Sequence, residues 1–163
     1  MRKLTCVIIC FLCFYTAKAQ DFKIEGGQLL LPSPILFETG TDKLKPESEV
    51  PLMHIKQFLD AKTYISVLRI EGHSDNSGNV ETNQILTEKR ALAVAKWLVA
   101  KGIDCKRLLA VGFGDTKPVA DNRTPEGKAQ NRRMEIRMAG LRGKAIGGMP
   151  LDGGGKVAGD ACQ

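Results

Sequence analysis

Apolar residues recur along the chain with two different spacings, and these spacings predict helices and strands. A helix is predicted to begin at Pro46, and its buried face recurs every three or four positions: Leu52, Ile55, Phe58 and Leu59. A longer helix is predicted over residues 80–101, ending at Gly102, with an apolar face of Ile85, Leu86, Ala91, Val94, Ala95, Trp97 and Leu98. A short helix is predicted over 126–131.

Four other apolar runs predict strands, because they are short and either β-branched or alternating in polarity: residues 35–37, 64–70, 108–111 and 134–138. The run at 64–70 is nearly continuous, which suits a strand buried on both faces. The order β-α-β-α-β-β predicts an α/β fold. We expect a two-layer sandwich with a mixed sheet and the helices on one of its faces.

The two ends of the chain differ from its middle. Residues 1–19 combine a positive start, an apolar run and small final residues, which predicts a secretory signal peptide cleaved after Ala19. An uncleaved anchor is the alternative. Residues 20–33 form an N-terminal segment, and residues 34–139 form the predicted domain. Residues 140–163 are expected to be an extended, glycine-rich, flexible tail.

Loss of the signal peptide changes the charge and the cysteine count. The full chain has 24 Lys and Arg against 18 Asp and Glu, a formal charge of +6, and cleavage would leave 21 against 18, or +3. No basic stripe or aromatic platform accompanies this mild charge, so no nucleic-acid partner is expected. Cys105 and Cys162 would remain, either paired or as two free thiols.

The most informative stretch is residues 71–91, EGHSDNSGNVETNQILTEKRA, which joins a predicted strand to the long predicted helix. Its polar loop, 73–79, contains Asp75, and Arg90 follows within the helix. A strand entering the loop and a helix leaving it bring these two charges to one end of the fold. An acid and an arginine without a nucleophile suit a ligand that carries an amine and a carboxylate, since a guanidinium matches a carboxylate with two parallel hydrogen bonds.

Several separate motifs resemble the OmpA-like C-terminal domain family, the peptidoglycan-binding module of many envelope proteins. The resemblance covers about residues 35–138 and rests on Phe37, Leu44, Glu71-Gly72-His73-Ser74-Asp75, Gly78, Asn83, Leu86, Thr87, Arg90, Ala91, Gly112, Gly114, Pro118, Asn122, Gly127 and Asn131-Arg132-Arg133. Ser74, Thr87 and Phe113 stand where the family more often has Thr, Ser and Tyr. None of these departures removes a charged group.

The resemblance implies noncovalent binding of peptidoglycan through the diaminopimelate of its stem peptide. In this reading the loop acid, Asp75, takes the ligand's ammonium group, and the helix arginine, Arg90, takes its carboxylate. The resemblance and the predicted signal peptide together imply a protein of the periplasm or of the periplasmic face of the outer membrane. Peptidoglycan is the expected partner, outer-membrane proteins are further candidates, and no cofactor is expected.

Three more residues are candidates for the ligand site: Ser74, Asn83 and Arg133. Ser74 offers its amide or hydroxyl to a ligand carboxylate, and Asn83 lies two helical turns before Arg90 on the same face. Each of them either contacts the ligand or only holds the loop. Of the adjacent arginines Arg132 and Arg133, one is expected to brace the loops and the other to approach the site, and Arg133 is our candidate for the ligand.

Catalysis is not expected from these residues. His73, Ser74 and Asp75 are adjacent, and neighbours along an extended segment point to opposite faces, so they do not predict a triad. The only other histidine is His54, and no acidic cluster accompanies either one, so no metal site is expected. Two other function classes stay open: a cell-wall hydrolase, and a module that kept the fold but binds a protein partner.

Overall fold

The computed structural model describes residues 21–148 and 150–163. The predicted signal peptide, residues 1–19, lies outside the described residues. Within them, no helix is both long enough and apolar enough to cross a membrane. The chain enters the fold through a small hairpin of β1 (Ile24–Glu25) and β2 (Gln28–Leu29), whose two turn glycines both have positive φ, as such short turns require.

Three α-helices follow the predicted segments closely: α1 (Glu49–Ala61), α2 (Val80–Ala100) and α3 (Pro125–Asn131). A single 3-10 turn, Pro46–Ser48, leads into α1. Asn79 caps α2 by accepting a hydrogen bond from the Thr82 amide at 2.9 Å. Thr124 caps α3 in the same way, because its hydroxyl oxygen accepts a hydrogen bond from the Gly127 amide at 3.0 Å. The caps satisfy amides that a helix start leaves free, and so fix where these helices begin.

The remaining strands are β3 (Ile65–Gly72), β4 (Leu108–Gly112), β5 (Met134–Leu141), β6 (Lys144–Ala145) and β7 (Lys156–Val157). The seven-stranded sheet has the order β1-β2-β5-β3-β4-β7, with β6 added to β5. Strands β3 and β4 are parallel and joined through α2, whereas β5 lies antiparallel to β3. The predicted α/β fold with a mixed sheet is confirmed.

The core lies between the helices and one face of this sheet. All four predicted α1 residues are buried: Leu52, Ile55, Phe58 and Leu59. On β3, Leu68 and Ile70 belong to the same core, while Arg69 and Glu71 alternate onto the opposite face. That opposite face carries polar side chains, yet Glu71 on it is buried, so the expected burial on both faces holds at the end of β3 although one face is polar.

The predicted apolar face of α2 is correct at its centre and wrong at one residue near its start. Ala91, Val94 and Leu98 are fully buried, but Ile85 is 40% exposed. The reason is that Gln84 and Thr87, one helical turn apart, form the side of α2 that meets β4 and the loop after it. Gln84 donates to the Gly112 carbonyl, and Thr87 accepts from the Gly114 amide.

The predicted strand at residues 35–37 reduces to one isolated bridge, between Phe37 and Leu44. The backbone of Leu36 finds its partner in a side chain instead of a neighbouring strand. The Ser48 hydroxyl accepts from the Leu36 amide and donates to the Leu36 carbonyl, both at 2.8 Å. This segment is therefore a loop fastened to the start of α1.

The predicted flexible tail is instead part of the fold. Strand β6 pairs with β5, and β7 pairs antiparallel with the outer edge of β4. Ala158 is buried in the core, and Cys162 is joined to Cys105 by a disulfide. Sequence alone missed these strands because each has only two residues and therefore no periodicity.

Candidate functional site

The segment 71–91 borders a pocket of about 290 Å³ at the end of the sheet where β3 meets α2. Its walls come from the 35–40 loop, the end of β3, the middle of α2 and the start of β5: Ile35, Leu36, Phe37, Thr39, Gly40, Gly72, His73, Thr87, Arg90, Arg132, Arg133 and Met134. The carboxyl end of a strand and the loops beside it are common places for ligand sites in α/β sheets. Of the predicted ligand residues, Arg90 and Arg133 line this pocket, whereas Asp75, Ser74 and Asn83 lie outside its lining.

The polar loop after β3 is held in place by side chains. Asp75 accepts a hydrogen bond from the Ser77 amide at 2.7 Å, which closes a tight turn. Asn83 reaches back from α2, and its side-chain amide donates to the carbonyls of Ser77 at 2.8 Å and Asp75 at 3.3 Å. Asn83 therefore holds the loop, which is one of the two roles considered for it.

The Asp75 carboxylate is nearly buried and carries an ion pair. Its side chain is 8% exposed, and Oδ2 accepts a hydrogen bond from Nη1 of Arg132. Burial alone would raise the pKa of Asp75. The hydrogen bonds from Arg132 and from Ser77 outweigh that effect and hold the pKa below its ordinary value. Asp75 is therefore a fixed negative charge at neutral pH.

Arg90 forms part of the pocket wall and is oriented by two contacts. Its Nε donates to the Thr41 carbonyl at 2.9 Å, and its guanidinium carbon lies 4.9 Å from the centre of the Phe37 ring. Burial lowers the pKa of Arg90, and the nearby Asp42 partly opposes that shift. An arginine stays charged through shifts of this kind. Among the described residues, its two terminal amino groups have no hydrogen-bond partner, since the hydrogen bond of this side chain is made through Nε.

Ser74 and Thr87 tie the loop, the helix and β4 together beneath the pocket. The Ser74 amide donates to the Gly114 carbonyl at 2.8 Å, and the Gly114 amide donates to the Thr87 hydroxyl at 3.0 Å. The Thr87 hydroxyl in turn donates a hydrogen bond to the Gln84 carbonyl at 2.8 Å. The Ser74 amide is thus engaged within the protein, while its hydroxyl is buried without a hydrogen-bond partner among the described residues.

Both adjacent arginines border the pocket, and their guanidinium groups have different partners. Arg132 pairs with Asp75, while Arg133 turns to the other face of the sheet, as successive residues of an extended segment do. There its Nε donates to Glu135 at 2.6 Å, and its terminal amino groups lie 3.3 Å from the Lys117 carbonyl. Arg133 makes bracing contacts and also borders the pocket, so its role toward a ligand stays a prediction, and Arg132 carries the guanidinium that lies beside the loop acid.

Sequence reasoning also did not identify the two groups that orient the Arg90 side chain. Phe37 supplies the aromatic face and Thr41 the carbonyl, and both belong to the loop before α1. Phe37 was among the residues that carried the family resemblance. Nothing in the local pattern indicates that a backbone carbonyl forty-nine positions away would orient the arginine.

The face of the sheet opposite the helices carries a buried cluster of side chains that could offer ligands to a metal ion. Glu71, His73 and Glu135 place one candidate ligand atom each within 4.8 Å of one another. Three guanidinium groups already occupy the carboxylates, with Arg69 on Glu71 at 2.6 Å and Arg133 and Arg137 on Glu135 at 2.6 and 2.8 Å. A divalent cation would meet that positive charge directly, so this arrangement favours an internal ionic network over a metal site.

His73 belongs to this network and not to a catalytic triad. Its ring stacks on Phe113 at 5.2 Å between centroids, and its Nε2 lies 3.3 Å from a Glu71 oxygen. Neither ring nitrogen has a hydrogen-bond partner among the described residues, so the imidazole is not bonded to the Ser74 hydroxyl. The alignment that activates a serine nucleophile is missing from these three neighbours.

The comparisons with known proteins place this geometry in a family. A model of the OmpA family matches residues 36–132. The chain belongs to the OmpA family. That stretch includes the 35–40 loop in large part, the polar loop, Arg90 and Arg132. The sequence-based resemblance is confirmed.

Relatives and solved structures agree with this membership. The chain is 38% identical over 116 residues to the outer-membrane lipoprotein YfiB of Pseudomonas aeruginosa, covering 71% of this chain and 68% of YfiB. It resembles the cell wall anchor of the T6SS from Pseudomonas aeruginosa, with a TM-score of 0.57, 34% identity and coverage of 63% and 73%. It also resembles the peptidoglycan-associated lipoprotein from Burkholderia pseudomallei, with a TM-score of 0.56, 29% identity and coverage of 64% and 86%.

The match to longer relatives is partial. The chain spans 54% and 60% of the lengths of two other relatives. The OmpA-family region is therefore one part of those proteins.

Proposed function

We propose that this OmpA-family domain binds peptidoglycan noncovalently, and that it does so without catalysis. The ligand group that suits the pocket best is the diaminopimelate of the stem peptide. Its free end carries an ammonium and a carboxylate on one carbon. Arg90 would take the carboxylate, and Asp75, at the rim with Arg132, would take the ammonium.

The observation that carries this proposal is the orientation of Arg90. A half-buried guanidinium is fixed by Thr41 and Phe37 on the wall of a 290 Å³ pocket. Its terminal amino groups are left for a planar, two-oxygen acceptor, which is the shape of a carboxylate. An arginine that served only stability would be expected to meet an acidic partner of the protein itself.

The charges around the pocket add selectivity for a zwitterionic group. Asp75 is held negative by its depressed pKa, and Arg132 stands next to it with half of its side chain exposed. A ligand with one charge of each sign could therefore pair with Arg90 at one end and join the Asp75–Arg132 ion pair at the other. Charge-assisted hydrogen bonds contribute about 1.5–3 kcal/mol each. A few of them support roughly micromolar affinity, or about −8 kcal/mol.

The family context supports the same ligand. The named structural neighbours are a cell wall anchor and a peptidoglycan-associated lipoprotein. An outer-membrane lipoprotein is among the relatives. We therefore place the protein in the periplasm or on the periplasmic face of the outer membrane, with peptidoglycan as its partner and outer-membrane proteins as further candidates. Peptidoglycan repeats its stem peptides, so several copies of the domain on one sacculus would gain avidity.

Co-sedimentation with purified sacculi tests the proposal. Wild-type protein should pellet with sacculi whose stem peptides contain diaminopimelate. It should stay in the supernatant with sacculi whose stem peptides contain lysine, because lysine lacks the carboxylate that Arg90 would bind. Free diaminopimelate should release the bound protein, whereas 1,5-diaminopentane, which has the same chain and both ammonium groups but no carboxylate, should not.

Two variants and one control link that binding to the pocket. Arg90→Ala removes the guanidinium, and Asp75→Asn keeps the shape and the Ser77 contact while removing the charge. Arg142→Ala removes an exposed arginine near the turn between β5 and β6, at the other end of β5 from the pocket. Pelleting should be lost in the first two and retained in the third. Equal pelleting of all three would rule out this site. Release of shortened muropeptides would instead favour the hydrolase class.

A further inference from the structure

The segment Pro150–Gln163, here called the latch segment, closes the outer edge of β4. Its strand β7 pairs antiparallel with that edge, and the Ala158 amide donates to the Ala110 carbonyl at 2.9 Å. Ala158 itself is buried with the core residues. An unpaired sheet edge is a template for adding foreign strands, so the latch segment protects an otherwise open edge.

The noncovalent contacts of the latch segment are few and mostly exposed. Arg69 donates to the Leu151 carbonyl at 2.8 Å, Lys117 donates to the Gly153 carbonyl at 3.1 Å, and Lys156 lies 3.4 Å from Glu88. Exposed contacts of this type add little each. The paired strand is only two residues long, and three consecutive glycines, 153–155, precede it. Such a segment is expected to detach readily unless something else retains it.

The Cys105–Cys162 disulfide is that retaining element. Its two Cα atoms lie 5.2 Å apart, and 57 positions separate the cysteines in sequence. Cys105 belongs to the 3-10 turn that leads directly into β4, so the bond ties the end of the chain to the base of the strand that the latch segment covers. Cys162 is exposed and Cys105 is half-buried, which leaves the Cys162 side open to an incoming thiol.

Strand β4, which the latch segment covers, leads directly into residues that contact the polar loop after β3. Gly155 packs against Phe113, since a Cβ added there would lie 2.7 Å from the ring. Phe113 stacks on His73, and the next residue, Gly114, accepts the hydrogen bond from the Ser74 amide. A change at the edge of β4 therefore has a contiguous path to the loop that carries Asp75.

We propose that the Cys105–Cys162 disulfide is a redox latch, which a dithiol opens to free the edge of β4 and loosen the loop below the pocket. A thiolate of the dithiol attacks the Cys162 sulfur, a mixed disulfide forms, and Cys105 leaves as a thiolate that takes up a proton. The second thiol of the reagent then displaces Cys162 and becomes part of an oxidised, cyclic reagent. Two electrons pass to the protein, and the two protons of the dithiol end on the two cysteines.

Hydrogen exchange measured on the whole protein, with and without dithiothreitol, tests the latch without reference to any ligand. In the oxidised protein the Ala158 and Ser74 amides should exchange slowly, because both are hydrogen-bonded. After reduction, exchange at Ala158 should accelerate by about tenfold or more, and exchange at Ser74 should accelerate by a smaller factor. Amides of α1 should be unchanged, which separates local opening from global unfolding.

The double variant Cys105→Ser/Cys162→Ser supplies the control. It should exchange like the reduced protein, and dithiothreitol should have no further effect on it. If the Ala158 amide stays as protected in the reduced protein as in the oxidised one, noncovalent contacts alone hold the segment and the latch is wrong. Acceleration at Ala158 with an unchanged Ser74 amide would overturn the coupling to the pocket.

Discussion

Arg132 donates a hydrogen bond through Nη1 to Oδ2 of Asp75, so the loop acid of the site is already half of an ion pair. The same carboxylate also accepts the Ser77 amide, which leaves it buried, oriented and charged. A ligand ammonium would therefore join an existing network instead of meeting a bare carboxylate. Arg132 thereby controls the protonation of Asp75 from a half-exposed position.

This relationship predicts a small stability effect and a clear pH effect for Arg132→Ala. A half-exposed ion pair contributes at most about 1 kcal/mol, so unfolding in urea should change little. Loss of the guanidinium should raise the pKa of Asp75, so binding to sacculi should fail at a higher pH than in wild type as the solution is acidified. Co-sedimentation between pH 7 and pH 3 measures this shift.

The neighbouring residue provides the contrast for that experiment. Asn131 is fully buried, and its side chain accepts from the Val119 and Ala120 amides and donates to the Ala120 carbonyl and to Asn122. Asn131→Ala should cost about 2–4 kcal/mol, because several buried polar groups lose their partner. If Arg132→Ala is as destabilising as Asn131→Ala, the ion pair is mainly structural.

Arg90→Lys should separate charge from shape. Lysine keeps the positive charge but cannot offer two parallel hydrogen bonds to a carboxylate. Affinity for diaminopimelate-containing muropeptide should fall by about tenfold or more, equivalent to about 1.4 kcal/mol. The loss of the contact with Phe37 should lower stability by no more than about 1 kcal/mol. Calorimetric titration gives the affinity and thermal unfolding gives the stability. A lysine variant with unchanged affinity would contradict a two-pronged contact.

The ionic network on the sheet face opposite the helices predicts that the stability of the fold is sensitive to acid. Burial would raise the pKa of Glu71 and of Glu135. The contacts with His73 and Arg69 at Glu71, and with Arg133 and Arg137 at Glu135, outweigh that effect. Both pKa values thus lie below the ordinary 4.5. A carboxylate with a depressed pKa in the folded state stabilises the fold fully above its ordinary pKa. That stabilisation is lost as the pH falls through the folded value.

The free energy of unfolding should therefore fall below about pH 4.5, with Asp75 adding to the decline. His54, whose pKa is lowered from 6.5 by burial, should add a decline that begins as the pH falls through its ordinary value. Glu135→Gln should lower stability at pH 7 and make the acid slope shallower, since one of the coupled carboxylates is gone. Urea unfolding at a series of pH values measures both effects. A stability that increases on acidification would contradict the assigned signs.

Gly72→Ala should distort the pocket, because Gly72 packs closely against the backbone of α2. A Cβ at Gly72 would lie 3.0 Å from the carbonyl carbon of Thr87 and closer still to its oxygen, so α2 would have to move away from β3. The expected cost is about 1–3 kcal/mol, as for other overpacked positions, together with weaker binding to sacculi because both residues line the pocket.

Gly102→Ala is the matched control for that variant. Gly102 ends α2 with a φ of +94° and has open space around its Cα, so alanine should cost about 1 kcal/mol through backbone strain alone. Binding should be retained. If both variants lose binding, general destabilisation explains the effect and the close contact of β3 with α2 does not.

The sequence was most informative where one residue and its neighbours determine the conformation. Helix α2 could be placed to within one residue, because Gly102 marks its end and its apolar spacing is regular. The polar loop followed from the order of strand, loop and helix, and Arg132, the partner of Asp75, lines the same pocket as Arg90. The Ser48 hydroxyl bonds the backbone of Leu36 in place of a strand partner, and no local sequence pattern predicts such a contact.

Contacts between distant segments account for the rest. Which of Arg132 and Arg133 pairs with Asp75 depends on the orientation of the segment just before β5. Pairing across the sheet decides that orientation. Strand β7 exists because the edge of β4 is available and Cys105 lies at its base, and residues 156–157 taken alone give no strand signal. The cysteine count left pairing open, and only the three-dimensional arrangement brings the two Cα atoms within bonding range.

The position of the disulfide also bears on how the protein can be attached to a surface or a probe. Cys105 lies just before β4, whereas Gly112, at the other end of that strand, pairs with the pocket residue Gly72. The five residues of β4 put roughly 17 Å between the two ends. A fluorophore or biotin joined to Gln163, next to the bonded Cys162, would therefore sit on the side of the domain away from the pocket. Immobilised protein should keep its binding surface facing the solution.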